Sequence, residues 1–231
     1  PHMTSIEAAG IIGGGMEYPM MTIIGALNAP TPEPLYGVTV HEVVHMWVPM
    51  IVSTDETRYG WMDEGLTNFG EVNATMARFP RRPTQLAGEQ SSYLGFARLG
   101  LEGEMMRWSD FHANTGAFTV ASYPKPTSVL FALRGLLGEE AFNRGYQGFI
   151  RDWAFRQPTP WDFFNAMEAA AGRDLDWFWT PWFYTTWTLD QAVAGVTQQG
   201  GETVVEVRDV GEVPIAVRLR ITPESLVRND R

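Results

Sequence analysis

The sequence contains no cysteine, which excludes disulfide bonds, cysteine-ligated zinc and thiol chemistry. It also has no apolar run of the roughly 18 residues that a membrane-spanning helix needs. Positive charge is scarce, since 17 lysines and arginines stand against 27 aspartates and glutamates, for a formal net charge of -10. We therefore expect no membrane span and no nucleic-acid partner, because a nucleic-acid surface needs clustered cations.

The chain does have enough apolar sequence for a packed core. Of its 231 residues, 45% are hydrophobic and 13% aromatic, which fits one domain or one domain with a fragment of another. The first three residues, Pro1, His2 and Met3, are typical of a cloning scar and are expected to lie outside the natural sequence.

Local patterns predict a mainly helical chain with a small mixed β-sheet, an α+β fold. The run from Met21 to Ile24, followed by three prolines, indicates an edge strand and then a loop. From Thr203 onward, apolar residues alternate as far as Ile221, which predicts a strand pair. Helices are predicted over residues 38–48, 63–78, 127–137, 139–155 and 160–172, and the last three in succession indicate a bundle.

Two histidines in the first predicted helix indicate a metal site. His41 and His45 are four positions apart, so both imidazoles lie on one helical face and can reach a single cation. A catalytic zinc ion takes three protein ligands and keeps one position for water. Glu64 is the candidate third ligand, because residues 46–63 suffice to end one helix and start an antiparallel one. We expect one zinc ion per chain.

Two glutamates near these ligands have predicted roles. Glu42, inside the H-E-x-x-H pattern, is expected to take a proton from the zinc-bound water. Glu71 lies seven residues after Glu64 on the same helical face, where it would orient a ligand histidine or form a surface salt bridge. His112 stands alone and is expected in a loop or at the surface.

Four segments in this order resemble the gluzincin zinc aminopeptidases, the aminopeptidase N-like family. Their pattern is HExxH, 18 residues and a glutamate, as in His41–His45 and Glu64. Trp61-Met62-Asp63-Glu64-Gly65 is similar to their W-x-x-E-G segment. Gly14-Gly15-Met16-Glu17-Tyr18 resembles their G-x-M-E-N motif with Tyr for Asn, and Tyr123-Pro124-Lys125-Pro126 resembles Y-x-K-G. The resemblance covers roughly residues 10–195.

The chain departs from the family pattern at positions that are not inferred ligands. Pro49 and Met50 stand where the family commonly has Gly-Asn, and Pro126 stands where it has Gly. These differences resemble those of a bacterial branch of the family. The resemblance leaves open whether Lys125 is positional or structural.

The resemblance implies roles for four further residues. Glu17 would pair with the free α-ammonium of a peptide and so fix the scissile bond over the zinc. Gly14 and Gly15 would let their backbone lie against the substrate. Tyr123 would donate a hydrogen bond to the developing oxyanion. The implied activity is a zinc-dependent aminopeptidase acting on peptides with a free N-terminus, in a secreted or periplasmic bacterial protein with further domains.

The expected organisation is a thermolysin-like, gluzincin catalytic domain over 1–202, with the helical bundle in its later part. Residues 203–231 would then be the start of a C-terminal β-domain. Two alternatives remain: a non-catalytic peptide-binding or scaffold domain, and an epoxide hydrolase or endopeptidase on the same zinc site. Glu42 and Tyr123 favour catalysis. Glu17 disfavours an endopeptidase, because the interior of a peptide substrate has no ammonium group to compensate a buried carboxylate.

Overall fold

The computed structural model of the chain describes residues 2–10, 13–27, 30–80, 84–215 and 219. The chain divides into two compact units, Pro1–Thr186 and Trp187–Arg231. In the described part of both units, no helix combines the length and the apolar character needed to cross a membrane.

The first unit begins with the small mixed sheet that the sequence predicts. Its strands are β1 (Thr4–Ala8), β2 (Gly15–Tyr18) and β3 (Met21–Gly25), in the order β1-β3-β2. Strand β3 is parallel to β1 and antiparallel to β2. The run from Met21 was predicted as an edge strand, and this is wrong, because β1 pairs with its second side. The polar, exposed sequence of β1 gave no strand signal.

Helices make up the rest of the first unit. A π-helical turn at Trp61–Gly65 leads directly into the second of them, and a short 3-10 turn spans Ser109–Phe111. In chain order the helices are α1 (Glu33–Val44), α2 (Leu66–Arg78), α3 (Thr84–Arg98), α4 (Thr115–Ser122), α5 (Pro124–Leu137), α6 (Glu139–Asp152), α7 (Pro160–Ala171) and α8 (Asp176–Tyr184).

The first helix differs from its prediction at both ends. It begins at Glu33 rather than at residue 38, because Pro34 falls in its first turn, where a missing N–H costs nothing. It ends at Val44 rather than at residue 48, and irregular turns precede Pro49. Helix α6 ends at Asp152, slightly earlier than predicted.

An aromatic cluster packs the later helices against the segment that carries Glu64. Trp61 is 1% exposed, and its ring centroid lies 4.9 Å from that of Phe183 and 6.0 Å from that of Phe164. Phe164 in turn stacks on Trp179 at 4.5 Å. The aromatic side chains of α8 therefore serve in packing, and Phe183 supports the π-helical turn through its contact with Trp61.

The second unit contains an antiparallel pair, β4 (Gln191–Gln199) and β5 (Glu202–Asp209). The prediction that Thr203 begins the pair is wrong. Gly200 and Gly201 both have positive φ, and such a two-residue turn joins β5 to the strand before it. Ile215 lies outside any strand, and Val217 and Ile221 are not among the described residues. The boundary between the units lies at 186/187, not at the predicted 202/203.

Candidate active site

The last turn of helix α1 and its C-cap residue, His45, present both histidines of the H-E-x-x-H pattern on one buried face. The side chains of His41 and His45 are buried, and their ring centroids are 4.9 Å apart. Glu42, between them in sequence, is also buried. The i, i+4 spacing therefore places the two imidazoles side by side, as the sequence predicts.

Glu64 reaches these histidines from the π-helical turn before α2. Its Oε2 atom lies 3.1 Å from His41 Nε2 and 3.3 Å from His45 Nε2. One ligand atom from each of the three residues falls within 4.8 Å of the other two. The structure thus brings the three predicted ligands together.

Hydrogen bonds between the two histidines and their carboxylate partners hold protons that a divalent cation would displace on binding. Burial disfavours the charged form of His41, but hydrogen bonds to Glu64 and Glu71 outweigh it and raise its pKa to about 9. Burial opposes ionisation of Glu64 as well, yet its hydrogen bonds with both histidines lower its pKa to about 2. Two neutral imidazoles and one carboxylate are a donor set of catalytic zinc, and the residues present therefore fit this metal.

Each histidine is held through its other ring nitrogen. His41 Nδ1 lies 3.1 Å from Glu71 Oε2, so Glu71 contacts a predicted ligand, and its orienting role stays a prediction. His45 Nδ1 lies 2.9 Å from the carbonyl oxygen of Val48 and 3.1 Å from Asp63 Oδ1. Such contacts fix the ring orientation of a metal-binding histidine.

Sequence reasoning missed two residues around His45. Asp63 stands in the quoted W-x-x-E-G segment, but no role was assigned to it. Thr67, the second residue of α2, places its Oγ1 atom 3.2 Å from His45 Nδ1 and 3.2 Å from the carbonyl oxygen of Val48. A signal for Asp63 was present, because it directly precedes the third ligand, whereas nothing in the sequence pointed to Thr67.

Glu42 has the environment of a general base. Burial raises its pKa to about 7, although both neighbouring histidines act in the opposite direction. Its Oε2 atom is buried and has no hydrogen-bond partner among the described residues. On its other side lies Gly15, where an added Cβ would overlap the Glu42 carboxylate. Gly15 thus makes room for Glu42, and its predicted contact with substrate stays a prediction.

Glu17 and Tyr123 line the same cavity of about 530 Å³ as the three ligands and Glu42. Glu17 sits in β2 opposite Thr22, and burial raises its pKa. Tyr123 lies at the junction of α4 and α5, with its ring centroid 6.0 Å from that of His41. Burial and the nearby Glu64 raise the pKa of its phenol, which therefore stays a hydrogen-bond donor.

Two other residues considered in the sequence lie apart from the cavity lining. His112 packs beside Phe118, with ring centroids 5.9 Å apart. The ammonium of Lys125 is buried 3.2 Å from Glu102 Oε2 and 3.0 Å from the carbonyl oxygen of Thr185. Lys125 therefore ties α5 to two other segments, which answers the open question in favour of a structural role.

The buried H-E-x-x-H residues, the carboxylate of Glu64 as the third predicted ligand and the cavity that these residues line are typical of a metallopeptidase, a class of hydrolase. Residues 14–182 match the Peptidase family M1 domain. The chain belongs to this family.

Relatives of known name agree with this assignment. Aminopeptidase N of Streptomyces lividans is 28% identical over 152 residues, which are 63% of this chain and 18% of that protein. Aminopeptidase M1-D of Oryza sativa subsp. japonica is 25% identical over 185 residues, or 78% of this chain and 20% of that protein. The chain thus spans about a fifth of the length of these curated relatives.

Solved structures share the fold. A mutant M1 zinc metallopeptidase from Deinococcus radiodurans, bound to a Tyr-Ser-Ala substrate, matches with a TM-score of 0.58 at 16% identity and covers 76% of this chain and 38% of that one. Native yeast LTA4 hydrolase matches with a TM-score of 0.63 at 20% identity, over 79% of this chain and 31% of that one.

Proposed function

We propose that this chain is the catalytic domain of a zinc-dependent aminopeptidase that releases N-terminal residues from peptides. The observation that carries the proposal is the convergence of His41, His45 and Glu64 beside a buried Glu42 with an unpaired oxygen. The names of the aminopeptidase relatives support it. Since the chain spans about a fifth of these relatives, further domains in the whole protein are part of the proposal.

His41, His45 and Glu64 would hold one zinc ion per chain. When bound there, zinc polarises a substrate carbonyl and lowers the pKa of water, which is the chemistry that peptide hydrolysis needs. Glu71 and the carbonyl oxygen of Val48 keep the two imidazoles in the orientation that leaves both Nε2 atoms facing Glu64.

Three other cavity residues would act on the water and the substrate. Glu42 accepts a proton from the attacking water and returns it to the leaving amine, for which a pKa near neutrality is suitable. Glu17 pairs with the α-ammonium of the substrate, whose charge compensates a carboxylate that burial disfavours. Tyr123 donates a hydrogen bond from its phenol to the oxygen on which negative charge develops.

A non-catalytic peptide-binding domain is the alternative, and the environment of Glu42 argues against it. A buried carboxylate oxygen without a partner is costly, and a domain that only binds has no need for one. The finer assignment of the fold, a thermolysin-like gluzincin domain followed by a helical bundle, is part of the same proposal. The similarity to M1 structures supports it.

The test separates metal binding from hydrolysis in one variant. Glu42→Gln keeps all three ligands, so we expect zinc content by elemental analysis to stay near that of the unaltered chain. Turnover of an aminoacyl reporter should fall roughly a hundredfold or more, since the base is lost. Glu140→Gln, on the exposed side of α6, is the matched control. Near-native turnover by the Glu42→Gln variant, or absence of zinc from the unaltered chain after zinc is supplied, would overturn the proposal.

A further inference from the structure

A third helix reaches the metal site through one side chain that no motif contains. Gln85, the second residue of α3, donates a hydrogen bond from Nε2 to Glu71 Oε1. The other carboxylate oxygen of Glu71 lies 3.1 Å from His41 Nδ1. The three side chains therefore form a line from α3 through α2 to α1, and it ends on a proposed zinc ligand.

Helix α1 leaves space for this line at Gly37. A Cβ added there would lie 2.9 Å from Glu71 Oε1 and 3.7 Å from Gln85 Nε2. Glycine weakens a helix interior relative to alanine, and Gly37 is buried within α1. The position at which α1 contains a residue of low helix propensity is thus the position that faces the Glu71–Gln85 contact.

The second hydrogen bond on Glu71 has a physical consequence for His41. A carboxylate bound only to an imidazole can rotate about its last side-chain bond, whereas one held at both oxygens presents a fixed acceptor. Partners of this kind orient a histidine ligand and increase its basicity toward the metal. Gln85 supplies the donor that fixes Glu71, and a glutamine keeps this role at any pH because its amide does not ionise.

We propose that Gln85 is a positioning residue of the metal site, which acts on His41 through Glu71. The inference rests on the proposed function, since it takes His41 to be a zinc ligand. It adds α3 to the elements that build the site, although this helix provides no ligand and no cavity-lining residue among those that the structure describes.

The experiment measures zinc affinity in the Gln85→Leu variant, with chelator competition as the readout. Loss of a partner around a metal ligand weakens metal affinity by about tenfold or more, and we expect about tenfold here. Gln90→Leu makes the same chemical change on the exposed side of α3 and should keep the original dissociation constant. The thermal midpoint of the metal-free protein should be the same in both variants, which separates positioning from a general loss of fold.

Two further variants test the contact itself. Gly37→Ala favours the helix but pushes Glu71 Oε1 aside, so zinc affinity should fall without loss of stability. Exchange of the pair, Glu71→Gln with Gln85→Glu, restores one donor facing one acceptor and should bind zinc more tightly than Glu71→Gln alone.

The outcomes distinguish this inference from the proposed function. Zinc binding by the unaltered chain with an equal constant in Gln85→Leu would overturn the positioning role alone. So would an exchanged pair that binds zinc no better than Glu71→Gln. If the unaltered chain bound no zinc, the proposed function would be wrong and the positioning role with it.

Discussion

Gly15, in strand β2, lies directly against the carboxylate of Glu42. Its position follows from the pairing of β2 with β3, in which Gly15 stands opposite Ile24. An added methyl group would overlap the Glu42 side chain, and the flexible carboxylate rather than the strand would move. The lack of a side chain at Gly15 therefore makes room for Glu42, the proposed base, in addition to the predicted contact of its backbone with the substrate.

Gly15→Ala should consequently impair hydrolysis and leave zinc binding intact. A displacement of about 1 Å in a catalytic group can cost roughly a hundredfold in rate, and Glu42 is not a proposed ligand. We would measure kcat/KM and zinc content together. Gly135→Ala, at a position on α5 where no described atom lies within 4 Å of the added Cβ, is the control and should change neither. Equal kcat/KM in Gly15→Ala and the control would contradict the packing argument.

Glu17→Ala should reduce the preference for substrates with a free α-amine. A charge-assisted contact of this type contributes about 1.5–3 kcal/mol, which corresponds to about a tenfold to a hundredfold change in kcat/KM. The measurement compares free and amino-blocked aminoacyl reporters. Glu7→Ala, on exposed strand β1, is the control. If both reporters lost the same fraction of their rate, Glu17 would have no part in amine recognition.

Among the helices, a buried ion pair joins α5 to the segment that precedes α4. Lys125 and Glu102 are 3.2 Å apart, and their side chains are only 1% and 3% exposed. Burial lowers the pKa of Lys125 and raises that of Glu102, while each charge opposes the shift of the other. Each residue therefore stays charged in the buried position only because the opposite charge lies beside it.

Lys125→Met should destabilise the fold by about 3–5 kcal/mol, since it leaves the Glu102 carboxylate buried without its cation. Replacement of both residues, Lys125→Met with Glu102→Leu, should recover most of that loss because no charge remains buried. Urea unfolding gives the free energy of unfolding of each variant. A double variant as unstable as the single one would show that the cost arises from packing rather than from the charge.

Helices whose ends carry local signals could be predicted from the sequence. At the start of α7, Thr159 and Asp162 form a capping box, and Gly172 adopts the left-handed conformation that ends it. Helix α8 was not predicted, because Pro181 lies inside it and its aromatic side chains gain stability only by packing. Helix α3 was missed for a related reason, as Gly88 and Gly95 lower its propensity.

In the candidate site too, contacts within one helix could be predicted from the sequence, whereas contacts between helices could not. His41 and His45 could be placed side by side from their spacing within one helix, and Glu71 from its spacing to Glu64. The contacts of Thr67 and Gln85 depend on how separate helices approach each other, which no local pattern encodes. Sequence reasoning thus identified the three predicted ligands and Glu71, and it missed the side chains that reach them from separate helices.

At the scale of the whole molecule, every described residue of the candidate site lies in the first unit, from Gly14 before β2 to Tyr123 between α4 and α5. This unit ends at Thr186, one residue after Thr185, whose carbonyl oxygen accepts a hydrogen bond from the buried Lys125. The last part of the unit, α8, packs against Trp61, three residues before the predicted ligand Glu64. The end of the unit therefore packs against the segment that carries the predicted ligand Glu64.

A chain that ends at Thr186 should keep the fold of the first unit and its zinc affinity, whereas one that ends at Arg173 should lose both. The shorter chain lacks α8, so that Trp61 loses its contact with Phe183 at 4.9 Å and the π-helical turn loses its support. Removal of a large buried aromatic side chain alone costs about 3–5 kcal/mol, and α8 carries several. Thermal unfolding and chelator competition on the two truncated chains and the full one provide the comparison. Zinc affinity that survives without α8 would show that the two ligand-bearing segments hold their geometry without the aromatic cluster.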